Sequence, residues 1–119
     1  MISEVETDAA LAFGDVVLVS FPFTNQVAAK RRPAVVISGR AYNLGKPDVV
    51  VMAITSQMRA TQGLGEVWLV GWEAAGLVKP SAVKPVIATL ESGLVLRRLG
   101  ALGDQDQAAL RRAIVAILG

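Results

Sequence analysis

Five short runs of apolar, largely β-branched residues constrain the fold of this chain more than any other feature. They cover residues 16–21, 33–38, 49–55, 66–70 and 83–88. The gaps between them hold about ten residues, contain several glycines and prolines, and mostly lack helical periodicity. A parallel pair of strands needs a longer crossover, usually a helix, so these gaps favour antiparallel or mixed pairing. The pattern therefore predicts a small closed or coiled β-sheet.

Two further segments have helical character. Residues 72–76 predict a single turn that ends at a glycine. Residues 104–118 predict a C-terminal helix, capped by Gly103 or Asp104 and carrying Asp106 in its first turn. Its apolar residues fall on one face at helical spacing: Leu110, Ala113, Ile114, Ile117 and Leu118. The expected fold is mainly β with a C-terminal helix, a small β-barrel that this helix closes or flanks.

The composition fits one globular domain without covalent staples. The 119 residues are 53% hydrophobic and 18% charged, and they include no cysteine and no histidine. This excludes disulfides, thiolate metal sites, cysteine nucleophiles and any catalysis that depends on histidine. Catalysis by this chain must use arginine, lysine, carboxylates or hydroxyls. We expect no cofactor and no metal site.

Charge is distributed unevenly along the chain. Glu4, Glu6 and Asp8 are the only charged residues among the first twelve, which leaves twelve bases against seven acids in residues 13–119. We predict a loose N-terminal extension over residues 1–12 and one mildly basic domain over residues 13–119, compatible with a polyanionic partner. The N-terminus lacks the positive charge of a secretory signal, and no apolar run approaches the ~18 residues of a membrane helix. The expected location is the cytoplasm, without membrane association.

Lys30, Arg31 and Arg32 form the sharpest local feature, three consecutive cations that lead directly into the second apolar run. Pro33 biases Arg32 towards an extended backbone, so its guanidinium is well placed to bind a phosphate through two parallel hydrogen bonds. A solvated charge run that keeps the flanking strands from aggregating is the simpler interpretation of the same residues. From the residues alone, both interpretations stay open.

A second polar cluster, Thr55, Ser56 and Gln57, ends the third apolar run. Hydroxyl and amide side chains at the end of a rigid strand can bind a phosphate or a base edge. The same residue types are also common in turns, where they bond their own backbone. The cluster is therefore either a binding element or an ordinary turn.

Lysine precedes proline twice near the fifth apolar run, at Lys79 and Lys84. A proline inside a strand marks an edge or a bulge, and an edge beside a cationic loop makes a groove for an extended ligand. A stiff surface connection explains the pattern equally well. Trp68 and Trp72 could stack on bases, but core packing is at least as good an explanation.

Several of these pieces occur in an order that resembles the MazF/PemK family of type II toxin-antitoxin toxins. The pieces are Gly14-Asp15-Val16-Val17-Leu18-Val19, Pro22-Phe23, Arg31-Arg32-Pro33-Ala34-Val35-Val36-Ile37-Ser38, Ala53-Ile54-Thr55-Ser56-Gln57 and Arg97-Arg98-Leu99-Gly100. The resemblance covers about residues 13 to 118. It implies the SH3-like barrel of the MazF, PemK and CcdB toxins, a homodimer, and a cognate antitoxin whose acidic tail occupies the RNA groove. It also implies metal-independent cleavage of single-stranded RNA, often mRNA, at short sequence motifs.

The resemblance further implies roles for particular residues. Arg32 and Thr55 match the arginine and threonine that act at the scissile phosphate, and we predict both as catalytic. The neighbouring 2′-hydroxyl of the RNA is then the nucleophile, and the two side chains stabilise the charge of a phosphorane-like transition state. The predicted RNA-binding residues are Lys30, Arg31, Ser56, Gln57 and Lys84.

One stretch departs from the family pattern. Many members carry a polar Asp/Gln-x-Arg-Thr-like sequence where this chain reads Lys84-Pro85-Val86-Ile87-Ala88-Thr89. The lysine remains, but the acidic and amide side chains do not, which bears on base specificity and on catalytic assistance.

Three other functions stay open: a catalytically silent relative that binds RNA or antitoxin only, a CcdB-like toxin that poisons a protein target, and a purely structural small barrel. CcdB toxins end in Trp-Gly-Ile, whereas this chain reads Ala116-Ile117-Leu118-Gly119, and this difference argues against the CcdB-like function.

Overall fold

The computed structural model describes residues 10–21 and 30–119. These residues form six strands, two α-helices and one 3₁₀-helix. In chain order they are β1 (Asp15–Phe21), β2 (Lys30–Val36), α1 (Arg40–Gly45), β3 (Asp48–Thr55), β4 (Val67–Trp68), β5 (Ala82–Glu91), the 3₁₀-helix (Ser92–Leu94), β6 (Val95–Ala101) and α2 (Asp104–Leu118). The predicted fold class, mainly β with a C-terminal helix, is confirmed.

The six strands belong to one antiparallel sheet with the order β4-β5-β3-β2-β1-β6. β5 and β6 have three strands between them, yet only the 3₁₀-helix connects them along the chain. At the usual strand spacing, a flat sheet would place them ~19 Å apart, more than the ~14 Å that this connection can span. The sheet must therefore curl. No strand pairing among the described residues joins its two edges, so the barrel is curled but open in its hydrogen bonding.

A turn packs against β6 and helps to cover the gap between the two edges of the sheet. It is the single turn predicted at residues 72–76, and Gly76 ends it with a φ of +90°. The closing hydrogen bonds from Gly76 N and Leu77 N have the pattern of a Schellman cap. A Cβ on Gly76 would lie 2.2 Å from the carbonyl oxygen of Leu99, and one on Gly100 would meet the backbone of the turn at 2.4 Å. The two backbones touch because both positions are glycine.

Buried side chains form two clusters, one on each face of the curled sheet. The first cluster packs the sheet against α2, and Leu110 is its fully buried residue from that helix. The second cluster lies on the other face of the sheet, where Leu94 of the 3₁₀-helix packs against it. Successive residues of a strand join different clusters, as Val35 and Val36 of β2 do. Both faces of the sheet therefore stabilise the fold.

Helix α2 covers the predicted residues and begins after Gly103. Most of its predicted buried face packs against the first cluster, but Leu118 is 68% exposed, so its assignment to that face is wrong. The last turn of the helix extends past the cluster. At the other end, buried Asp106 accepts hydrogen bonds from Val70 N at 3.0 Å and Gly71 N at 2.8 Å. This carboxylate ties the start of α2 to the segment that follows β4.

Three elements differ from the sequence prediction. The sequence does not predict β6, because it is an edge strand in which Leu96, Arg97 and Arg98 are all exposed and no apolar alternation marks it. It does not predict α1 either, since this helix has no buried residue and hence no apolar stripe. The predicted fourth strand, residues 66–70, is too long, because only Val67–Trp68 pairs with β5.

Strand β5 carries a bulge at its proline. Both positions that Pro85 indicates are confirmed: it lies in a bulge, and it lies at a local edge, because β4 pairs only with Ala82 and Val83 and the described residues place no strand beyond β5 at Pro85. The register of β5 against β3 shifts between the partners of Met52 and Ile54, which leaves residues 84–86 as the bulge. The bulge carries Lys84 on its exposed surface.

Part of the predicted N-terminal extension is described. Residues 1–9 lie outside the described residues. Leu11 and Ala12 contact the fold: Asn43 Nδ2 donates to the Leu11 carbonyl at 2.8 Å, and Ala12 N donates to Asp15 Oδ2 at 2.9 Å. The domain boundary near residue 13 stays a prediction.

Candidate nucleic-acid site

The exposed ends of β2 and β3 bring Arg32 and Thr55 together. The pairing of β2 with β3 ends at Ala34 and Ala53, and Arg32 and Thr55 each lie two residues beyond that last pair on their strands. Because side chains alternate along a strand, both lie on the face of the sheet that the two alanines share. Arg32 and Thr55 also line the same two cavities. The structure thus places the two predicted catalytic residues side by side, and their role in catalysis stays a prediction.

The two cavities flank this pair of residues. We name them the Lys79 cavity, of about 320 Å³, and the Lys84 cavity, of about 340 Å³. They share Arg32, Ile54, Thr55 and Gln57. The other residues of the Lys79 cavity are Pro33, Ser56, Leu77, Val78, Lys79 and Ser81, and those of the Lys84 cavity are Phe21, Ala53, Lys84 and Val86. Each volume is at the lower end of the range for small-ligand sites.

The hydroxyl of Thr55 is held in place by its own turn. Its Oγ1 accepts a hydrogen bond from Gln57 N at 3.0 Å. The turn interpretation of the Thr55, Ser56 and Gln57 cluster is therefore right about this contact. A hydroxyl can accept two hydrogen bonds and donate one, so the Thr55 proton stays available to a ligand oxygen. The turn orients the hydroxyl and leaves its donor free for binding.

Every charged side chain that the described residues place in the two cavities is a cation. Arg32 lines both cavities, Lys79 one and Lys84 the other, and all three are exposed. Within residues 10–21 and 30–119, none of the three forms an ion pair. Unpaired cations on the walls of a cleft focus the electrostatic potential and attract a polyanion. A guanidinium adds a planar fork that fits two oxygens of one phosphate.

The other predicted RNA-binding residues divide into two groups. Ser56 and Gln57 line the Lys79 cavity, and Lys84 lines the cavity named after it. Lys30 and Arg31 line neither cavity. The alternation of side chains along β2 places Arg31 on the opposite face of the sheet from Arg32, which separates it from the cleft.

Lys79 is the cleft residue that sequence reasoning missed as a binding residue. The repeated lysine-proline pattern at Lys79 and Lys84 was the available signal. Of the two tryptophans, Trp72 supports the core-packing interpretation, whereas Trp68 belongs to neither cluster. Trp72 packs against the first cluster, Trp68 lies in β4, and neither lines the cleft.

The loop after Gln57 is organised around Glu66. Gly63 N donates to Glu66 Oε1 at 2.7 Å, and Arg59 Nη2 lies 3.1 Å from Oε2. The backbone hydrogen bond from Gly63, and then that from Arg59, holds the pKa of the Glu66 carboxyl below its usual value of 4.5. Gln62 Nε2 donates to the Glu66 carbonyl at 2.7 Å. Because Arg59 is paired within this loop, its charge does not add to that of the cleft.

In the described part of the chain, no three histidine, cysteine, aspartate or glutamate side chains lie close enough together to hold a metal ion. No helix of that part is both long enough and apolar enough to cross a membrane.

The curled antiparallel sheet and its C-terminal helix define a small, mainly β protein with a cationic cleft at the ends of β2 and β3. A family model of PemK-like, MazF-like toxins of type II toxin-antitoxin systems matches residues 12–118. This chain therefore belongs to that toxin family.

Solved structures of similar fold cover nearly the whole chain. A mycobacterial endoribonuclease in complex with its cognate antitoxin has a TM-score of 0.75 at 19% identity, covering 92% of this chain and 96% of that one. A MazE-MazF structure from Deinococcus radiodurans has a TM-score of 0.75 at 23% identity, covering 92% and 97%. The Mycobacterium tuberculosis toxin MazF-mt6 has a TM-score of 0.69 at 23% identity, covering 84% and 91%. A search of curated protein sequences gave no match. At these identities the similarity establishes the fold.

Proposed function

We propose that this toxin is an endoribonuclease that cuts single-stranded RNA at short sequence motifs, using the RNA's own 2′-hydroxyl and no metal. The observation that carries the proposal is the pairing of Arg32 with Thr55 in a cleft whose charged side chains are all cations. Family membership supports the toxin role, and similar structures described as endoribonucleases support the activity. The substrate brings both the nucleophile and the phosphate, so the protein has to supply position and charge.

The chemistry follows from what these two side chains can do. The 2′-oxygen attacks the adjacent phosphorus, the bond from phosphorus to the 5′-oxygen breaks, and the products are a 2′,3′-cyclic phosphate and a 5′-hydroxyl. Arg32 binds the non-bridging oxygens, whose negative charge increases in the transition state, and the Thr55 hydroxyl donates to one of them. Solvent accepts the proton of the 2′-hydroxyl and returns one to the leaving oxygen. The chain has no histidine to perform these transfers, and arginine stays protonated.

The partners follow from the same cleft. We propose a cognate antitoxin with an acidic, extended segment that competes with RNA for Arg32, Lys79 and Lys84, because both ligands are extended polyanions. Similar structures described in complex with an antitoxin support this partner. We also propose a homodimer that acts in the cytoplasm, with residues 13–119 as the toxin domain and residues 1–12 as an extension.

One observation favours a second function, a silent module that binds RNA or antitoxin without cutting. The wall that β5 contributes to the cleft consists of Lys84 and Val86, and the described residues place no carboxylate or amide there. This wall can bind a phosphate through Lys84 but has no carboxylate or amide to read a base. The proposed activity and this alternative differ in whether bound RNA is cut.

The deciding experiment incubates purified protein with a long, weakly structured RNA in EDTA and maps new 5′ ends. Arg32→Ala and Thr55→Ala proteins are prepared identically, and Arg112→Ala, on the exposed surface of α2, serves as the matched control. Cleavage at recurring sites by the wild type and the control, but not by Arg32→Ala, is the expected result. Tight binding without cleavage by folded wild type would establish the silent module instead.

A further inference from the structure

The Arg32 and Thr55 pair lies between two cavities, and each cavity has a lysine of its own. Lys79 and Lys84 each line one cavity, and neither lysine lines both. A ligand phosphate that sits on Arg32 therefore has a different cation on either side of it. One strand of nucleic acid has the matching arrangement, since every internal phosphate has a neighbour on both sides.

Lys79 extends from a segment of backbone that is firmly held. The neighbouring Leu77 and Ser81 are buried, and Ser81 Oγ donates to the Lys79 carbonyl at 2.8 Å. Leu69 N donates to the Ser81 carbonyl at 3.0 Å, which ties the segment to the sheet. The proline that follows Lys79 restricts that residue to an extended backbone. The Lys79 side chain therefore extends into the wall of its cavity from a backbone that these contacts hold in place.

Lys84 is held in a similar way on the opposite side. It lies in the bulge of β5, between the segment paired with β4 and the segment paired with β3. Its next residue is also a proline, with the same effect on the backbone. Neither lysine has an acidic partner among the described residues, so both charges are available to a ligand.

We propose that Lys79 forms a phosphate-binding subsite, which takes the phosphate on one side of the scissile position while Lys84 takes the phosphate on the other side. The inference rests on the proposed function and deepens it. The substrate is then a single strand with at least three consecutive phosphates, which runs from one cavity to the other across Arg32. Lys79 is a positioning residue: it improves binding and leaves the chemical step at Arg32 unchanged.

Binding is measured first, with a labelled 2′-O-methyl decanucleotide that cannot be cut. Lys79→Ala is compared with Lys46→Ala, a matched control because Lys46 is exposed, precedes a proline and lines neither cavity. Removing one phosphate contact on a single strand lowers the slope of log Kd against log salt by about 0.7. If the variant and the wild type bind equally at 1 M salt, the Kd of the variant is then about fivefold higher than that of the wild type at 0.1 M. We expect this loss for Lys79→Ala, no change for Lys46→Ala and recovery in Lys79→Arg.

Cleavage of a decamer centred on a mapped site then locates the subsite. Lys79→Ala should raise KM about fivefold with kcat unchanged, because it loses the same phosphate contact that the binding experiment measures. A neutral methylphosphonate at the adjacent phosphate on one side should cause a similar loss. In the Lys79→Ala protein this methylphosphonate should cause no further loss, because both changes remove the same contact. In the Lys84→Ala protein it should cause the full further loss, because the two contacts are separate. The methylphosphonate on the other side should show the reverse pattern.

The inference is overturned if Lys79→Ala binds and cuts like Lys46→Ala, or if its effect adds fully to both methylphosphonates. These outcomes leave the proposed function intact as long as Arg32→Ala is inactive. If the wild type binds the decamer but does not cut RNA, the activity fails, and the salt slope of Lys79→Ala still decides the subsite.

Discussion

The two halves of strand β2 have opposite environments. Lys30, Arg31 and Arg32 are all exposed, whereas Ala34, Val35 and Val36 have no exposed surface. The buried half is fixed by both hydrophobic clusters, and it transmits that fixed position along the backbone to Arg32. The exposed half makes no contribution to the core, and it places Arg32 in the cleft. Strand β2 therefore contains both core residues and a cleft residue, Arg32, and they are different residues.

The largest expected effect is on the exposed half. Arg32→Ala should reduce RNA cleavage by about 10²–10³-fold, since it removes the group that stabilises charge in the transition state. It should change the free energy of unfolding by less than about 0.5 kcal/mol, because the side chain is exposed and unpaired among the described residues. Cleavage rates and urea unfolding of the same preparation test both statements. A large loss of stability would show that the two halves of β2 are not separate.

The reverse experiment alters the buried half. Val36→Ala removes two methyl groups from the second cluster and should lower the free energy of unfolding by about 2 kcal/mol. Well below the unfolding transition, its cleavage rate should stay within about twofold of the wild type, since no residue of the cleft is lost. Urea denaturation and initial cleavage rates at 25 °C make the comparison. A rate as low as that of Arg32→Ala would contradict it.

A smaller effect is expected at the end of β3. Thr55→Ala removes one hydrogen bond to a phosphate oxygen, which corresponds to about a tenfold loss in kcat. Thr55→Ser keeps the hydroxyl and its bond from Gln57 N, so its kcat should remain close to that of the wild type. If the serine and alanine variants lose activity equally, the methyl group of Thr55 matters more than its hydroxyl.

The smallest effect concerns the loop beside the cleft. The pKa of Glu66 is lowered in the folded protein, so the unfolded chain binds this proton more tightly. The stabilising contribution is therefore complete above the ordinary value of 4.5 and is lost as the pH falls through the lower, folded value. Melting temperatures between pH 6 and pH 3 should fall less in Glu66→Gln than in the wild type. Equal slopes would show that the loop bonds have no part in acid sensitivity.

Much of the fold could be predicted from the sequence because it rests on buried periodic segments. β1, β2, β3 and α2 are detectable since each places apolar residues on a buried face at its own period. β6 and α1 were missed for the converse reason, because exposed residues such as Leu96, Arg97 and Arg98 give no periodic signal. Residues that are stabilised by pairing alone leave little trace in a single sequence.

The candidate site was predictable in part, for a different physical reason. Arg32 and Thr55 are marked by their positions at strand ends, but their proximity depends on the register of β2 against β3. The contribution of Lys79 depends on the curl of the sheet and on the turn at residues 72–76. These are properties of long-range pairing, which local composition does not encode.

The pairing of β1 with β6 also determines when this toxin becomes a folded protein during its synthesis. β1, the first strand in the chain, pairs with β6, the last one, and the first cluster includes Leu110 and Ala113 of α2. While a ribosome is still making β6 and α2, β1 has an unpaired edge and the core is incomplete. Every residue that lines the cleft precedes β6 in the chain, so the nascent chain carries the complete set of cleft residues on a fold that still lacks its last strand and its helix.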